Sequence, residues 1–215
     1  MKVRVKICGI TRHEDGAGAL EAGAFALGFV LAERSPRSLR PEVAEALVAG
    51  IRKVAPRPFL AVAVLDRFDA AEGTRAITEW GFDRVQFQGT EGMHALRVCL
   101  EAMDEPLLRA WGALRVVDEL SFEGVDDLSC EAVVLDSHVP GVAGGTGRAF
   151  DWTLAAPLAK RRKVVLAGGL TPDNVAEAVR TARPWMVDVS TGVEAGPGIK
   201  DVERIKAFVE AAHGA

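Results

Sequence analysis

The sequence alternates short β-branched runs with longer, alanine-rich segments whose apolar residues recur at helical spacing. This alternation predicts parallel strands joined by helical crossovers, because each crossover must return the chain to the same end of the sheet. We predict eight strands, at residues 3–8, 25–31, 59–65, 84–87, 107–111, 132–136, 164–167 and 186–189. We predict helices at residues 14–22, 41–54, 70–80, 91–103, 152–159, 172–182 and 200–212.

Eight strand–helix units fit a closed barrel of the α/β class, the (β/α)8 or TIM barrel. At about 27 residues per unit the chain has room for one large core, so we predict a single barrel domain over residues 1–215. Only the crossover at residues 118–128, which is acidic and interrupted by Gly124, indicates a brief or distorted helix. The structural alternative is an open doubly wound sheet, but the first strand ends in Cys8 and Gly9 instead of the Gly-rich turn of a dinucleotide-binding fold.

Charge and composition argue against several classes of function. The formal charge of −4 and the pI of about 5.7 leave no basic excess for a phosphate backbone, so we expect no nucleic-acid partner. No apolar run is long enough to cross a bilayer, and the N-terminus lacks the apolar stretch of a secretory signal, so we expect no membrane partner. Cys8, Cys99 and Cys130 match neither a disulfide framework nor a metal spacing, which favours a reducing cytoplasm.

The first candidates for catalysis end predicted strands, at the face where barrels of this type carry their active sites. Cys8 ends the first strand beside Gly9, where a thiol projects into the barrel mouth, although a free cysteine is more often a buried small hydrophobe. Asp136 ends the sixth strand after an apolar run, so burial could raise its pKa and hold a proton for donation. The alternative is a carboxylate that only accepts bonds from the following turn. We predict that Cys8 and Asp136 face each other as base and acid.

A phosphate site is predicted where the last two strands end. The candidates are Gly168 and Gly169 after the seventh strand, and Ser190, Thr191 and Gly192 after the eighth. Glycine lets backbone N–H groups approach an anion without interference from a Cβ atom, and many barrels bind phosphate between these two loops. The plainer alternative is that the glycines only permit tight turns.

Two further loops carry candidate substrate contacts. The glycine-rich segment at residues 141–147 indicates an active-site loop with Gly145 near its centre, and it lacks the lysine of a Walker A motif. Arg37, after the second strand, is expected to capture a carboxylate of the ligand, because a guanidinium pairs with carboxylates in a bidentate manner. Alone it would be an ordinary surface arginine. The histidines show no ligand spacing, so we predict no metal and no cofactor; His138 is the one nearest a candidate site.

Seven motifs extend from the first predicted strand to the last helix. They are Lys6-Ile7-Cys8-Gly9-Ile10-Thr11; Gly28-Phe29 with Ser35-Pro36-Arg37; Leu135-Asp136; Gly144-Gly145-Thr146-Gly147 with Phe150-Asp151-Trp152; Leu166-Ala167-Gly168-Gly169-Leu170; Asp188-Val189-Ser190-Thr191-Gly192-Val193-Glu194; and Gly198-Ile199-Lys200-Asp201. In this order they resemble the motif series of the phosphoribosylanthranilate isomerase family. The opening motif together with the two glycine loops is specific to that family.

The resemblance implies a barrel enzyme that converts N-(5-phosphoribosyl)anthranilate, a small phosphorylated substrate, to 1-(2-carboxyphenylamino)-1-deoxyribulose 5-phosphate. This Amadori rearrangement is the third step of tryptophan biosynthesis from chorismate. The resemblance also implies that Asp136 protonates the ribose ring oxygen and that Cys8, as a thiolate, removes the C2 proton. Arg37 would face the anthranilate carboxylate, and the phosphate would bind on the loops after the last two strands.

One departure from the family pattern follows the fourth strand. The family commonly has Gln-Leu-His-Gly there, whereas this chain has Gln86-Phe87-Gln88-Gly89. The change removes a titratable group and leaves the acid and the base in place. After the eighth strand, Ser190-Thr191 replaces a frequent Ser-Ser and keeps the hydroxyl.

Other functions remain open at this point. A ribulose-phosphate epimerase would need metal-ligating histidines and acidic pairs at the inner strand ends, and the sequence lacks them. An indole-glycerol-phosphate synthase would need a catalytic lysine on an inner strand, and Lys6 could point inward by alternation from Cys8. A catalytically silent barrel that binds phosphorylated metabolites would tolerate the loss of Cys8 or Asp136, and both are present. We expect a homodimer, the commonest closed assembly.

Overall fold

The computed structural model describes residues 2–32, 35–89, 93–103, 109–116, 122–136 and 150–215. Eight of its strands are β1 (Arg4–Cys8), β2 (Ala26–Val30), β3 (Leu60–Leu65), β4 (Arg84–Phe87), β5 (Ala110–Arg115), β6 (Ala132–Asp136), β7 (Val164–Leu166) and β8 (Met186–Val189). They pair in parallel in chain order, and β8 pairs with β1 to close the sheet. The predicted (β/α)8 barrel is therefore confirmed.

Helices follow most of the strands and cover the outside of the barrel. They are α1 (His13–Ala22), α2 (Pro41–Val54), α3 (Ala70–Thr78), α4 (Met93–Glu101), α5 (Ala155–Ala159), α6 (Val175–Ala182) and α7 (Val202–His213). Pro41 opens α2, where its missing N–H would have no helical partner anyway. Asp69 and Asp201 accept backbone N–H groups at the starts of α3 and α7, which fixes where those helices begin.

Shorter elements complete the chain. Three-residue 3-10 turns lie at Val125–Asp127, Trp152–Leu154 and Thr191–Val193. The first lies in the crossover for which the sequence predicted a brief or distorted helix, in the part of that crossover that the structure describes. After β8, the strands β9 (Glu194–Gly196) and β10 (Ile199–Lys200) form an antiparallel hairpin. In the part of the chain that the structure describes, no helix is long and apolar enough to cross a membrane.

The core has two parts because both faces of most strands are covered. Outward side chains of the strands, such as Phe29 and Phe87, pack against helix side chains such as Phe208, and all three are fully buried. Inward side chains fill the barrel, and the inner cluster consists of Ala26, Val62, Trp111, Ala113, Ala132, Val134, Val165, Ala167 and Met186. This double burial explains why runs such as β3 are almost continuously apolar.

The predicted fifth strand, at residues 107–111, was placed too early. The strand runs from Ala110 to Arg115, and residues 104–108 lie outside the described residues. Apolar residues flank Arg109 on both sides, so the sequence contains two short apolar runs, either of which could belong to a strand. Pairing with β6 selects the later run, because residues 111–115 align in register with Ala132–Asp136. The Trp111 side chain is buried inside the barrel, and its indole N–H donates to Glu131 at 3.0 Å.

Helix α6 begins three residues later than the predicted position 172. The side chain of Asn174 closes a turn first, since its Oδ1 accepts the N–H of Thr171 at 2.8 Å and its Nδ2 donates to the carbonyl of Gly169 at 2.9 Å. These bonds hold the chain out of helical conformation until Val175. The turn also fixes the loop that carries Gly169.

A buried ion pair lies inside the barrel between β1 and β8. Lys6 Nζ donates to Asp188 Oδ2 at 2.6 Å, and the two side chains are 0% and 6% exposed. Burial lowers the pKa of Lys6, but the attraction of Asp188 and of Cys8 outweighs it, so the pKa lies above its ordinary value. Lys6 is therefore held as a charged ammonium group that points inward, as alternation from Cys8 suggested.

We predict that Lys6→Met lowers the free energy of unfolding by about 3–5 kcal/mol, because it leaves the Asp188 carboxylate buried without its partner. The double variant Lys6→Met/Asp188→Leu should recover most of this loss, since apolar replacement of a buried pair is often neutral. Urea unfolding followed by tryptophan fluorescence measures both. Equal instability of the single and double variants would show that the pair itself is not the cause.

Candidate active site

The structure places the predicted site residues at one mouth of the barrel, where the strands end. Cys8 ends β1 and Asp136 ends β6, while Arg37 lies in the loop after β2. Gly168 and Gly169 follow β7, and Ser190, Thr191 and Gly192 follow β8. Gly145, the 141–147 loop and His138 lie outside the described residues.

The Cys8 thiol lies inside the mouth and is partly buried. Its side chain packs against the inward cluster of Val30, Ala32 and Val64. Gly28 on β2 is the Cα partner of Cys8 on β1. A Cβ atom on Gly28 would lie 2.7 Å from the Sγ atom of Cys8 and 3.1 Å from the Cε atom of Lys6. Glycine at position 28 therefore makes room for the thiol and the ammonium on the same side of the sheet.

Opposing effects act on the acidity of this thiol. Burial raises the pKa of Cys8, and it is the largest effect. Positive charges on Lys6 and Lys200 lower the pKa of the thiol, whereas the negative charge of Asp188 raises it, and the net direction is upward. The two lysines thus reduce the cost of forming a thiolate in a partly buried position.

Asp136 accepts a hydrogen bond from the side-chain amide of Gln88, just after β4, and Gln88 is bonded in turn to Gln86 on β4. Gln88 Nε2 donates to Asp136 Oδ2 at 2.6 Å, and Gln86 Nε2 donates to Gln88 Oε1 at 2.8 Å. Gln86 is buried inside the barrel, and its Oε1 atom has no hydrogen-bond partner among the described residues. Gln88, where the family pattern commonly has histidine, is therefore in direct contact with the candidate acid.

Arg37 belongs to a second cluster of buried charges. Its Nε and Nη2 atoms donate to the two carboxylate oxygens of Glu194 at 2.7 and 2.6 Å. Lys200 Nζ donates to Glu194 Oε1 at 2.8 Å and to the backbone oxygen of Ser190 at 3.2 Å. Burial alone would raise the pKa of Glu194, but Arg37 and Lys200 lower it below its ordinary value. Glu194 is therefore an ionised clamp on Arg37.

This cluster also depends on close backbone approach. Gly9 has a φ of +76°, and a Cβ atom there would lie 2.4 Å from the Cδ atom of Arg37 and 3.1 Å from Ser190 Oγ. Any larger residue at position 9 would push the arginine away from its carboxylate partner. The hairpin that carries Lys200 is fixed in turn, because the N–H of Lys200 donates to the buried carboxylate of Asp15 at 3.1 Å.

The loops after β7 and β8 meet closely. Gly168 and Gly169 have φ values of +81° and +67°, a conformation that favours glycine. A Cβ atom on Gly192 would lie 2.1 Å from the carbonyl oxygen of Leu170, so the second loop fits against the first only with glycine at this position. A cavity of about 680 Å³ opens here, lined in part by Gly169, Gly192 and Arg204.

The described residues contain no group of three or more histidine, cysteine, aspartate or glutamate side chains placed to hold a metal ion. Cys99 is buried on α4, and Cys130 is partly buried with its sulfur 3.3 Å from Arg162 Nη2. Both lie away from the mouth residues described above.

Comparison with known proteins identifies the family to which this constellation belongs. The family model described as N-(5'phosphoribosyl)anthranilate (PRA) isomerase matches residues 5–211. The chain belongs to the N-(5'-phosphoribosyl)anthranilate isomerase family. The resemblance seen in the motifs is therefore confirmed.

Individual relatives of this isomerase family match along nearly the whole chain. The isomerase of Pelobacter propionicus is 42% identical over 211 residues, covering 98% of this chain and 95% of its own. That of Geobacter sulfurreducens is 42% identical over 213 residues, covering 99% of both.

Solved isomerase structures have the same fold. The crystal structure of phosphoribosyl anthranilate isomerase from Thermotoga maritima superposes with a TM-score of 0.83 at 37% identity, over 99% of this chain and all of the other. Another isomerase structure, in complex with reduced 1-(o-carboxyphenylamino)-1-deoxyribulose 5-phosphate, has a TM-score of 0.79 at 35% identity, over 99% and 100% of the two chains.

The sequence analysis gave no role to four residues that the structure brings to the site. Glu194 and Lys200 stood within quoted isomerase motifs, but nothing in their spacing showed that they bind Arg37 and Ser190. Asp188 and Gln86 could have been found by strand alternation, because polar residues at inward positions of short apolar strands need buried partners.

We predict that Lys200→Met raises the pKa of the Cys8 thiol, because it removes a cation that favours the thiolate. Alkylation of Cys8 by iodoacetamide at pH 8 should then slow by roughly two- to tenfold. Mass spectrometry in a background lacking Cys99 and Cys130 gives the rate against pH. Lys206→Met, at an exposed lysine paired with Glu203, is the matched control and should leave the curve unchanged. An unshifted curve in Lys200→Met would contradict the effect.

Proposed function

We propose that this chain catalyses the isomerisation of N-(5'-phosphoribosyl)anthranilate to 1-(2-carboxyphenylamino)-1-deoxyribulose 5-phosphate, a step of tryptophan biosynthesis. The observation that carries the proposal is that a thiol ends β1 and a carboxyl ends β6 at the same mouth of the barrel, in a chain that matches this family from residue 5 to 211. A related isomerase structure that holds a reduced form of the product supports the same substrate class.

In the proposed reaction Asp136 acts first, as the general acid. Its proton passes to the ribose ring oxygen, the bond from that oxygen to C1 breaks, and the nitrogen lone pair forms a C1–N double bond, giving a Schiff base. The Cys8 thiolate then takes the proton from C2, and the electron pair of that C–H bond moves to give an enolamine. Tautomerisation of the enolamine yields the ketone. Every step moves protons and electron pairs within one substrate, so no external oxidant or reductant is required.

The electrostatic surroundings of Cys8 suit the role of base. A thiol with a pKa above its ordinary value is mostly protonated at pH 7, so only a fraction is active at any moment. Lys6 and Lys200 keep that fraction from falling further. A base whose pKa lies above the pH is also the stronger proton acceptor, which suits the removal of a weakly acidic C–H proton.

We place the substrate phosphate on the backbone of the loops after β7 and β8. The left-handed conformation of Gly168 and Gly169 and the tight fit of Gly192 support this, because backbone N–H groups there are not shielded by a Cβ atom. Ser190 and Thr191 add hydroxyl groups at the start of the 3-10 turn. We also assign Gly145 to substrate contact, on the sequence argument alone.

Arg37 is proposed to face the anthranilate carboxylate. Glu194 accepts from Nε and Nη2, so the Nη1 group is the part of the guanidinium that no described residue engages. The clamp holds the guanidinium plane fixed, which lowers the entropy lost when a carboxylate binds. Anchoring the substrate at both ends would hold its C2 atom near the Cys8 thiol.

We further propose that residues 1–215 act as one barrel domain in a reducing cytoplasm, with neither nucleic acid nor membrane as a partner. The odd number and scattered spacing of Cys8, Cys99 and Cys130, which match no disulfide framework, support that compartment. A homodimer is also proposed, because one structural neighbour consists of monomers generated from the dimeric isomerase of Thermotoga maritima. Sedimentation of the purified chain tests the assembly state.

We predict that Cys8→Ser and Asp136→Asn each lower kcat by roughly 10²–10⁴-fold with modest change in KM, because each removes a proton-transfer group. The assay follows the loss of phosphoribosylanthranilate fluorescence. If the wild type bound the substrate without turning it over, the chain would be a catalytically silent binding barrel. Near-normal turnover of Cys8→Ser would refute its role as base.

We predict that Arg37→Ala raises KM by roughly ten- to a hundredfold, since it removes a charged hydrogen bond to the substrate carboxylate. Inhibition by inorganic phosphate, which lacks a carboxylate, should change little in the same variant and serves as the internal control. An unchanged KM, or an equal loss of affinity for phosphate, would count against the assignment.

A further inference from the structure

The buried ion pair beneath the mouth contains a carboxylate whose negative charge opposes a thiolate at Cys8. Asp188 lies on β8, the strand paired with β1, and its side chain is 6% exposed. Its Oδ2 atom accepts from Lys6 Nζ at 2.6 Å, and its Oδ1 atom has no hydrogen-bond partner among the described residues. The reaction proposed above uses the cations near Cys8 but gives Asp188 no part in catalysis.

The strand register places Asp188 between the other two side chains. Lys6 is its Cα partner on β1, and Cys8 lies two residues further along the same face of that strand. Inward side chains of a (β/α)8 barrel form layers drawn from alternate strands, and a layer advances by two residues on every second strand because the strands are tilted. Since Lys6 pairs in turn with Ala26, Asp188 shares a layer with Gly28, above the layer of Lys6 and below that of Cys8.

Gly28 leaves space in that layer for the Lys6 side chain. A Cβ atom at position 28 would lie 3.1 Å from the Cε atom of Lys6 and 2.7 Å from the Sγ atom of Cys8. The end of the Lys6 side chain and the thiol therefore lie close together, and the ammonium interacts with both the thiol and Asp188. One buried cation is shared by two acidic groups.

We propose that Asp188 is a positioning residue for the base: it holds the Lys6 ammonium against Cys8, while its negative charge keeps the resting sulfur protonated and the thiolate, once formed, a strong proton acceptor. Asp188 acts through Lys6 and Cys8 in this scheme and not on the substrate. The inference rests on the proposed function, in which the Cys8 thiolate takes the proton from C2. It assigns to the ion pair a role beyond the stability of the barrel.

Sharing the ammonium changes the strength of the base. A thiolate beside an unshared cation forms at lower pH, but it is also the weaker proton acceptor, because the attraction of the cation is lost when the proton is taken up. The nucleophilic reactivity of thiolates falls roughly threefold for each unit by which the pKa of the thiol is lowered, and proton abstraction is expected to follow the same trend. A protonated resting thiol is also the form that reacts slowly with alkylating agents and oxidants.

Charged groups on the other elements packed against the thiol act on the same equilibrium. Among the described residues these are Lys200 on β10 and Arg37 in the loop after β2, and both bind Glu194 on β9. Together with the buried ion pair they make three cations and two carboxylates, an excess of one positive charge that a thiolate balances. Loss of the Asp188 charge would leave Lys6 without a carboxylate, and the thiolate would become its counterion.

Alkylation of Cys8 by iodoacetamide, in the background lacking Cys99 and Cys130, tests the proposal without an activity assay. Asp188→Asn keeps an oxygen for Lys6 and removes the charge, so the alkylation rate at pH 7 should rise roughly three- to tenfold. Lys6→Met should lower the rate by a similar factor. A mere loss of packing would expose the thiol in both variants and would raise both rates.

Glu131→Gln is the matched control. It weakens a partly buried pair with Arg84 at the opposite end of the barrel, where β4 and β6 begin, and should leave the alkylation rate unchanged. The double variant Lys6→Met/Asp188→Leu, which we expect to be more stable than Lys6→Met, covers the case in which Asp188→Asn does not fold. It should be alkylated faster than Lys6→Met, because the two differ only at position 188.

Steady-state kinetics test the consequence for the base. In Asp188→Asn the rise of kcat with pH should move to lower pH, and the plateau of kcat at high pH should fall roughly three- to tenfold with KM within about twofold. A structural defect alone would lower kcat without moving the pH at which it rises.

An unchanged or slower alkylation rate, in Asp188→Asn or in the double variant relative to Lys6→Met, would overturn the proposal. Faster alkylation with an undiminished plateau of kcat would contradict the part that concerns the strength of the base. Absence of isomerase activity in the wild type would count against the proposed function, and the alkylation rates would still decide whether Asp188 controls the protonation of the thiol.

Discussion

The pairing of β8 with β1 is the contact on which the whole site depends. Four aligned Cα pairs, from Arg4 and Met186 to Ile7 and Val189, turn an eight-stranded sheet into a barrel. In an open sheet the first and last strands would lie at opposite edges, and the thiol on β1 would be far from the loop after β8. Closure instead places Ser190 beside Gly9, so the site exists only once the most distant parts of the chain have met.

Closure also forces charged groups into the barrel, where each needs a partner. Asp188 lies against Lys6, and Glu194 lies between Arg37 and Lys200. The carboxylates offset the cost of burying the cations, and the cations in turn reduce the cost of a thiolate at the mouth. Charge stabilisation of the fold and of the proposed base is therefore supplied by the same side chains.

The parts of the fold and the site that depend on local sequence patterns could be predicted, whereas the parts that depend on contacts between distant residues could not. Strand periodicity predicts where β1 and β6 end, and therefore predicts Cys8 and Asp136 as mouth residues, because parallel strands share a direction. It failed for β5, where Arg109 separates two apolar runs and only the non-local pairing with β6 selects the second. The clamp on Arg37 joins residues 157 positions apart through a hairpin, and no local pattern encodes such a contact.

The acid and the base of the proposed reaction have opposite requirements, and the barrel gives them different neighbours. A base works by accepting a proton and profits from cations that stabilise its charged form, which the β1 side supplies through Lys6 and Lys200. An acid must keep its proton until the substrate takes it. A neighbouring histidine that became positively charged at low pH would favour the ionised carboxylate and so promote loss of that proton. The neutral amide of Gln88, which donates to Asp136, avoids that effect. Glutamine at position 88, where the family commonly has histidine, therefore gives the acid a hydrogen-bond partner that carries no charge.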